Sequence, residues 1–478
     1  MSRTFRYAGT ICFLVVTIGW VLGIIALPLS GAESGGQLSR PRVSEANSAV
    51  FHSTEADTAA KGNAPISTLP VDTTAAPDYS FGEMSIAGLT LNSLNIYGYF
   101  ATRIEKNWSV PSLEGAQIVK ESEPAAWTNP FFNVMIQHQT SQKFKAFVNL
   151  NGARAGAIDV RNLWGEYSAS NALNIRLGKL YRKFGLYNEI LDAVPTYYGI
   201  EPPELFDADH LIVSRTSTFM VYGGFALGTG TLNYSFSTDN GEGRNDTFEE
   251  NMPLGWDLNY QFGGGDYTIG FSGYTTSGYS HPDVALGGGS PKSGVLPWMA
   301  NDRFSVLGGY AEGKIQNLTL QFEYWNSPHD AERDPALTVR MINGAKPNAA
   351  QLSRFLLDPS GAPAETNVSV NGDYTVNTWY LRAGYSAEIS IGEIGPYVQW
   401  DYYSNPETIA SKTFGGDDEA GATDTGKFNK ATLGLVFRPT PEVAIKLDYS
   451  SHMQKFKSGT QSFPEVRLDV SYIFGQLF

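Results

Sequence analysis

The amino-acid sequence predicts an all-β fold, a transmembrane antiparallel β-barrel of about sixteen strands. Three observations support this prediction. Short segments along most of the chain alternate apolar and polar side chains. Short connections alternate with long polar loops, and the chain ends in an alternating, aromatic-rich segment, Val466–Phe478.

The N-terminal region predicts a cleaved leader. Arg3 and Arg6 precede an apolar run from Ile11 to Leu29, and small residues occupy positions 30–32. This order is the pattern of a secretory signal peptide, which we assign to residues 1–32. A retained transmembrane anchor is the alternative, because the apolar run is long for a signal.

Composition excludes several classes of site. Cys12 is the one cysteine and lies in the predicted signal peptide, so the mature chain has no thiolate metal site or thiol nucleophile. Loss of Arg3 and Arg6 takes the formal net charge from −14 to −16. Such an acidic chain lacks the basic patches that nucleic-acid binding requires.

Residues 33–84 are rich in Ser, Thr, Ala and Pro and show no apolar periodicity. Such a segment buries too little apolar surface to offset its chain entropy, which predicts a disordered periplasmic spacer. The remaining residues, 85–478, form the predicted barrel.

The strand prediction rests on period-two alternation. In Leu94–Ile104, Ile96 and Phe100 share one face, whereas Tyr97 and Arg103 share the other. Alternation of this length is typical of a membrane strand with lipid on one side and water on the other. A soluble β-sandwich also alternates and is the alternative on this evidence alone. The same pattern recurs at Phe144–Leu150, Leu232–Phe236, Leu254–Phe262, Tyr267–Gly273, Leu318–Tyr324, Trp379–Tyr385, Ile394–Tyr402, Ala431–Phe437, Val443–Tyr449 and Val466–Phe474.

The connections favour the barrel over the sandwich. Predicted short turns lie at Thr140–Gln142, Ser170–Ala172, Gly228–Gly230, Gly263–Asp266, Ile315–Asn317 and Arg438–Glu442. Predicted long loops lie near 181–213, 239–253, 277–302, 327–373, 404–427 and 451–464. Turns at one end and loops at the other are typical of outer-membrane barrels with periplasmic turns and extracellular loops.

Aromatic residues mark the membrane boundaries and the end of the chain. We expect an interfacial girdle from outward aromatics near strand ends: Trp256, Phe262, Tyr324, Trp379 and Tyr402. The last strand resembles the aromatic-terminated strand of outer-membrane barrels. This resemblance implies that Tyr472, Phe474 and Phe478 are read by the barrel-assembly machinery.

Two segments resemble Gram-negative porins. The hairpin GLVFRPTPEVAIKLDY (Gly434–Tyr449) looks like a late porin hairpin with its Pro-bearing turn. LNIRLGKLYRKFGLYNE (Leu173–Glu189) is similar to the strand that enters the third loop of phosphate-selective porins. The resemblance implies a sixteen-stranded homotrimer whose third loop, here 181–213, folds into the lumen.

Strand parity predicts the charges that line the lumen. The inward bases are Arg103, Lys145, Arg176, Arg382, Lys446 and Arg467, and the inward acids are Glu105, Glu166, Asp257, Glu323, Asp401, Asp448 and Asp469. This balance departs from the basic ladder of phosphate-selective members, so the resemblance does not extend to phosphate selectivity.

The third loop supplies the predicted constriction through its acids: Glu189, Asp192, Glu201, Glu204, Asp207 and Asp209. We expect the basic wall residues Arg103, Lys145 and Arg176 to stand opposite, which would create a transverse field across the lumen. The alternative is that these loop acids face external water.

The predicted function is that of a porin, a passive diffusion channel for small hydrophilic solutes and ions in the outer membrane of a Gram-negative bacterium. Its expected partners are outer-membrane lipid, lipopolysaccharide, the assembly machinery and small polar solutes. The alternatives are a lidded or substrate-specific barrel for sugar or anion uptake, and an adhesin or structural barrel. The segment Ala345–Pro359 is a candidate helix of such a lid.

An enzyme is not expected. Among the six histidines, His138 alone is predicted to lie within a strand, and no G-x-S-x-G, H-E-x-x-H or Walker motif occurs. No cofactor is expected either. Ca²⁺ in the acidic loops Asp239–Glu250 and Gly415–Asp424 is the alternative, although neither loop has EF-hand spacing.

Overall fold

The computed structural model describes residues 85–475, except 87–88, 91–93, 115–116, 153–157, 205–214, 240–252, 279–295, 412–413, 415 and 418. The predicted signal peptide and spacer, together with Asp207, Asp209 and Phe478, lie outside the described residues. In the described part of the chain, no helix is long and apolar enough to cross a membrane.

The main sheet is a closed antiparallel barrel. Its strands are β3 (Leu94–Asn107), β6 (Ala126–Ser141), β7 (Phe144–Gly152), β8 (Ile158–Ser170), β9 (Leu173–Tyr181), β10 (Arg215–Leu227), β11 (Gly230–Asp239), β12 (Leu254–Phe262), β13 (Tyr267–Gly278), β14 (Met299–Ile315), β15 (Leu318–Arg333), β16 (Tyr374–Tyr385), β17 (Ala387–Ile389), β18 (Gly392–Ser404), β19 (Lys427–Thr440), β20 (Val443–Phe456) and β21 (Gly459–Phe474).

Closure confirms the predicted fold class. The last strand, β21, pairs with β3, where Tyr472 lies opposite Phe100. Because β16 and β17 follow each other and both pair with β18, they are two pieces of one strand. The barrel therefore has sixteen strands.

The remaining elements lie outside the barrel sheet. Two small hairpins join β1 (Ser85–Ile86) to β2 (Leu89–Thr90) and β4 (Val110–Glu114) to β5 (Gln117–Glu121). The α-helices are α1 (Pro335–Ala345) and α2 (Ala349–Phe355), and 3-10 turns occupy Asn188–Ile190, Val194–Thr196, Gly263–Gly265 and Glu365–Asn367.

Alternation along each strand separates the two faces of the barrel wall. On the outside, Phe100, Leu177 and Leu433 expose between 51% and 63% of their surface. Inward neighbours such as Tyr97 and Lys446 are buried. An apolar exterior this extensive is stable when lipid rather than water covers it.

The predicted loop at 451–464 is wrong. Strands β20 and β21 continue to Phe456 and from Gly459, so only a tight turn joins them. The strand ends rise beyond the apolar band, where outward positions such as Ser451 and Lys455 are polar. Where outward residues are polar as well as inward ones, apolar and polar side chains no longer alternate. The periodicity used to predict strands therefore stops before the strand ends.

The predicted loop at 327–373 is also too long, because β15 continues to Arg333. The same strand extensions place His329 in β15 and His452 in β20, which corrects the prediction that His138 alone lies in a strand.

The helices in the 334–373 connection begin at clear capping residues. The Asp334 side chain accepts the Leu337 backbone N–H at 2.9 Å, and Pro335 occupies the first turn of α1. Asn348 caps α2, which covers part of the predicted helical segment Ala345–Pro359. The helix α1 was not predicted from the sequence.

Candidate functional site

The described part of the third loop lies inside the barrel. It follows β9 as the third connection on its side of the barrel, after those joining β3 to β6 and β7 to β8. Its described part, 182–204, buries Tyr187, Tyr197 and Ile200 almost completely. These side chains pack against inward residues of the wall, for example Tyr187 against Tyr380. The chain is therefore folded into the lumen at this level.

The first part of the loop is bound to β11, β13 and β15. The guanidinium of Arg182 lies 2.7 Å from Asp239 of β11. The backbone N–H of Gly185 donates to Ser272 Oγ at 3.1 Å, and that of Leu186 donates to Glu323 Oε1 at 3.1 Å. Buried backbone donors that would otherwise lose their water partners are thus satisfied by the wall.

The middle of the loop is bound to β6–β8 through Asp192. Its carboxylate accepts from the Asn149 amide at 2.9 Å and from the Asn162 amide at 3.4 Å. Its backbone oxygen accepts from Asn133 at 3.5 Å. Sequence parity places these asparagines inward, but only the folded loop shows that all three meet the same residue, Asp192.

Lys446 of β20 holds the loop by its backbone. The Lys446 ammonium donates to the carbonyl oxygens of Tyr197 at 2.7 Å, Gly199 at 2.8 Å and Val194. Three carbonyl acceptors match the three donors of an ammonium group. This residue was predicted to line the pore, and in the structure it is buried beneath the loop.

The end of the loop is joined to β3, β19 and β21 by ion pairs. Glu201 lies 3.0 Å from Arg103 and also contacts Arg467, and Glu204 contacts Lys430. Burial alone would raise the pKa of Glu201, but the charges of Arg467, Arg103 and Lys430 lower it well below its usual range. The carboxylate therefore stays ionised in this setting.

A second charge cluster lies beside β7–β9. Glu189 is 2.8 Å from Lys183 and 3.7 Å from Arg176. Arg176 also contacts Glu166 at 2.7 Å, and Lys145 lies 3.1 Å from the same carboxylate.

This geometry changes the expected transverse field. Glu201 and Glu189 are in direct or near-direct contact with Arg103 and Arg176, instead of facing them across open water. Lys145 pairs with the wall residue Glu166 and not with the loop. The loop acids Asp192, Glu201 and Glu204 therefore serve first as attachments to the wall, whereas Glu189 pairs most closely with Lys183 of the loop itself.

The other predicted wall charges are inward, and all of them except Glu105 are buried. Asp257 accepts from Ser272 and Tyr310, and Glu323 accepts from Tyr380 at 2.7 Å. The remaining contacts join Arg382 to Gln399, Gln399 to Asp401, and the Ile200 backbone N–H to Asp448. Glu105 and Asp469 also point inward, toward Arg467 at 3.9 Å and Arg103 at 3.7 Å.

A large apolar cluster fills the interior beside β13–β19. It joins loop-3 residues such as Phe184 to inward aromatics such as Trp325 and to Met341, Phe355 and Ile409 of the outer loops. Phe184 and Trp325 stack with ring centroids 4.2 Å apart. An inward aromatic residue looks the same in sequence whether it packs only against the barrel wall or joins such a cluster. Sequence analysis therefore did not predict this cluster.

Arg333 joins the outer loops. Its Nε donates to Glu407 at 2.6 Å and its Nη2 to the same carboxylate at 2.8 Å, while Nη1 donates to the Ser369 oxygen at 2.7 Å. Trp298 Nε1 also donates to Glu407 at 3.3 Å. Sequence analysis missed this buried pair because Arg333 lies at the end of β15, beyond the apolar alternation, and Glu407 lies in the connection between β18 and β19.

Ser327 and His329 of β15 form a Ser–His–Asp arrangement with Asp302 of β14. Ser327 Oγ lies 3.1 Å from His329 Nε2, and His329 Nδ1 lies 2.9 Å from Asp302. Ser327 and Asp302 are fully buried, and the imidazole stacks between Phe304 and Tyr374. A nucleophile must reach its substrate, so this arrangement is better explained as satisfied interior polar groups.

Metal binding has little support in the acidic loops. Within the described residues, no group of three His, Cys, Asp or Glu side chains could hold a metal ion. In the second predicted Ca²⁺ loop, the Asp417 carboxylate accepts from the Ala420 backbone N–H, so it is used within its own turn. Most of Asp239–Glu250 lies outside the described residues.

Comparisons with known proteins give structural likeness only. No protein-family model matches the chain, and no curated protein matches it in sequence. The outer membrane channel DcaP of Acinetobacter baumannii aligns with a TM-score of 0.47 and 10% identity over 80% of this chain and 97% of that one. An anion-selective porin of Comamonas acidovorans gives 0.48 and 12% over 80% and 99%. OmpF of Salmonella typhi gives 0.42 and 12% over 80% and 97%. At these scores, the fold assignment rests on the chain's own strand pairing.

Proposed function

We propose that this outer-membrane barrel is a passive channel for small hydrophilic solutes and ions, with its lumen restricted by the third loop. The observation that supports this function best is the attachment of residues 182–204 to opposite parts of the inner wall. Asp192 is bound to β6–β8, Leu186 to β15 and Ile200 to β20. A loop held on several sides narrows a lumen that sixteen strands would otherwise leave wide.

The channel works by replacing lipid with polar groups along the path of the solute. Its apolar exterior matches the membrane, and its interior supplies hydrogen-bonding side chains. The proposed constriction comprises the loop acids Glu189, Asp192, Glu201 and Glu204; Asp207 and Asp209 of the predicted set lie outside the described residues. Selectivity depends on which of these charges remain in contact with water.

The partners proposed for this function are those of an outer-membrane channel. Lipid and lipopolysaccharide cover the exterior, and the assembly machinery reads Tyr472, Phe474 and Phe478. The resemblance of Gly434–Tyr449 and Leu173–Glu189 to porin segments supports a homotrimer. No nucleic-acid partner is proposed for so acidic a chain.

A lidded, substrate-specific barrel is the second candidate function. The observation that favours it is the buried apolar cluster joining Phe355 and Met341 of the outer loops to the interior. A lid packed in this way would admit solute through part of the mouth only.

Solute uptake by vesicles separates the two candidates. Liposomes carrying the purified barrel are placed in isotonic solutions of polyols and sugars of increasing size, and the swelling rate is followed by light scattering. A passive restricted channel gives rates that fall smoothly with solute size. Uptake of one solute class alone supports the lidded barrel, and absence of swelling with every solute rejects the channel.

A further inference from the structure

The charged and polar groups inside the barrel differ greatly in their contact with water. Between β13 and β20, many inward polar residues are almost fully covered; Gln321 and Arg382 expose 3% and 1% of their surface. Beside β9, the Lys183 and Glu189 side chains expose 29% and 31%, and Arg176 exposes 14%. Lys183 and Glu189 are thus the most exposed of these charged groups.

A row of half-buried polar side chains continues from these charges toward the short turns. Its members are inward residues of β9–β12: Asn174, Tyr222, Asn233, Asn259 and Gln261. They lie next to one another in the sheet, because Asn174 pairs with Tyr222 and Asn233 with Asn259. The amides of Asn233 and Asn259 are 2.9 Å apart.

The upper end of this row is tied to the loop charges. Arg176 Nη2 donates to the Tyr222 hydroxyl at 3.1 Å, and the Lys183 ammonium lies 4.9 Å from the Tyr222 ring centroid. The row and the Lys183–Glu189–Arg176 group therefore form one continuous polar surface, which we name the β9–β12 surface.

The opposite side also holds half-exposed charges among the described residues, since the side chains of Glu201 and Glu105 expose 24% and 29%, but its groups are tied into the wall. There the loop backbone is pinned by Lys446 and Arg438, and its carboxylates are paired with Arg103, Arg467 and Lys430. The side facing β14–β16 is filled by the apolar cluster around Trp325. Loop and wall leave their half-exposed polar groups mainly along the β9–β12 surface.

We propose that solutes cross the third-loop level off-centre, along the β9–β12 surface, and that Lys183 and Glu189 are the residues that determine charge selectivity there. This inference rests on the proposed channel function and adds the position of the path. Amide and phenol groups supply both donors and acceptors, which suits small hydroxyl- or amide-bearing solutes. Lys183 and Glu189 keep enough water contact to act on passing ions.

Cysteine accessibility tests the position of the path. In a Cys12→Ser background, Asn259→Cys places a thiol on the β9–β12 surface. The matched control, Thr432→Cys, places one on the inner wall of β19, where Thr432 is 7% exposed. Each full-length barrel is reconstituted in a planar bilayer, and a charged methanethiosulfonate reagent is added while the current is recorded.

The expected result is a stepwise loss of current for Asn259→Cys and no change for Thr432→Cys. Block of the control, or no block of Asn259→Cys in a conducting barrel, overturns the proposed path. Heat-modifiable gel migration verifies folding, and Gln261→Cys replaces Asn259→Cys if that variant does not fold. A wild-type barrel that does not conduct rejects the channel function itself, which is a distinct outcome.

Ion selectivity tests the two charges. With one pore-facing charge removed, Glu189→Gln is expected to raise the chloride-to-potassium permeability ratio and Lys183→Gln to lower it, each by about two- to fivefold at low salt. Glu388→Gln, at an exposed position of β17 outside the proposed constriction, is the control and is expected to leave the ratio unchanged. Equal ratios in wild type, Glu189→Gln and Lys183→Gln would overturn the assignment of these residues.

Discussion

At the residue scale, Lys446 shows that an inward-facing charged side chain of a strand can hold a loop inside the barrel. Parity alone predicts that it faces the lumen, and it does. Its ammonium is committed to the backbone oxygens of Val194, Tyr197 and Gly199. It is therefore an anchor of the third loop and not a charge available to solutes.

Replacing this anchor tests its role. Lys446→Met removes the donors of three buried carbonyls, which is expected to lower the free energy of unfolding by about 1–3 kcal/mol. The loosened loop is also expected to give noisier single-channel currents. Denaturant unfolding in lipid vesicles measures the first effect. The exposed Lys455→Met on the same strand is the control, and equal behaviour of the two variants would contradict the anchoring role.

The pH dependence of the channel follows from Glu201. Because neighbouring cations hold the pKa of Glu201 below its ordinary 4.5, its ionised form stabilises the bound loop at pH values above that figure. This contribution is lost only as pH falls through the lower value of the folded state. We expect wild-type conductance to stay steady from neutral pH to about pH 5 and to become noisy in stronger acid.

Glu201→Gln separates this group from other acids. The variant is expected to show noisy conductance already at neutral pH, because it lacks the charge that binds Arg103 and Arg467. Glu388→Gln, at an exposed position of β17, is the control. Identical pH profiles for wild type and Glu201→Gln would show that other groups control the loop.

Residue pairing is the part of the site that sequence could not supply. Parity predicts that Glu166 and Lys145 both face inward, but their 3.1 Å contact depends on the register of β7 with β8. The contact of Glu201 with Arg103 depends further on the path of the loop. Balanced inward charge was therefore predictable, and its division into paired and water-exposed groups was not.

At the scale of elements, sequence predicted the apolar middle of the clearly alternating strands better than their ends. Every alternating segment named from Leu94 onward lies within a strand of the barrel. The ends of β15 and β20 were missed because residues such as His329 and His452 alternate with other polar side chains. The inward His452 contacts Glu465 at 3.1 Å and stacks on Phe463, contacts that only the extended strands create.

The outer loops are expected to depend on the buried Arg333–Glu407 pair. Arg333→Met leaves the Glu407 carboxylate buried without its guanidinium partner, which is expected to cost about 3–5 kcal/mol. The double variant Arg333→Met/Glu407→Met is expected to recover part of that loss. Denaturant unfolding in vesicles measures both, and Arg303→Met, at an exposed position of β14, is the control.

Limited proteolysis locates the effect of that change. If the pair holds the outer loops, the Arg333→Met barrel is cleaved faster within 334–373 and 404–427 while its strands stay protected. Uniform stability of the single variant, the double variant and the control would contradict an anchoring role for the pair.

At the scale of the whole molecule, the fold was predictable because lipid imposes one strong rule. Every backbone polar group in the membrane must be paired, so an alternating chain of this length has a closed barrel as its solution. The interior obeys no such rule. Its filling by loop 3 and by the cluster around Trp325 and Phe355 depends on tertiary contacts, which periodicity does not encode.

Single-channel recording in a planar bilayer shows whether the barrel is a channel narrowed by its third loop. The purified wild-type barrel is added to one side of a lipid bilayer in potassium chloride, and current steps are recorded at constant voltage. We expect steady, ohmic open steps, grouped in threes for a homotrimer and smaller than an unobstructed sixteen-stranded lumen would give. A barrel that inserts, as judged by its heat-modifiable migration, yet never conducts would show that it is not a diffusion channel.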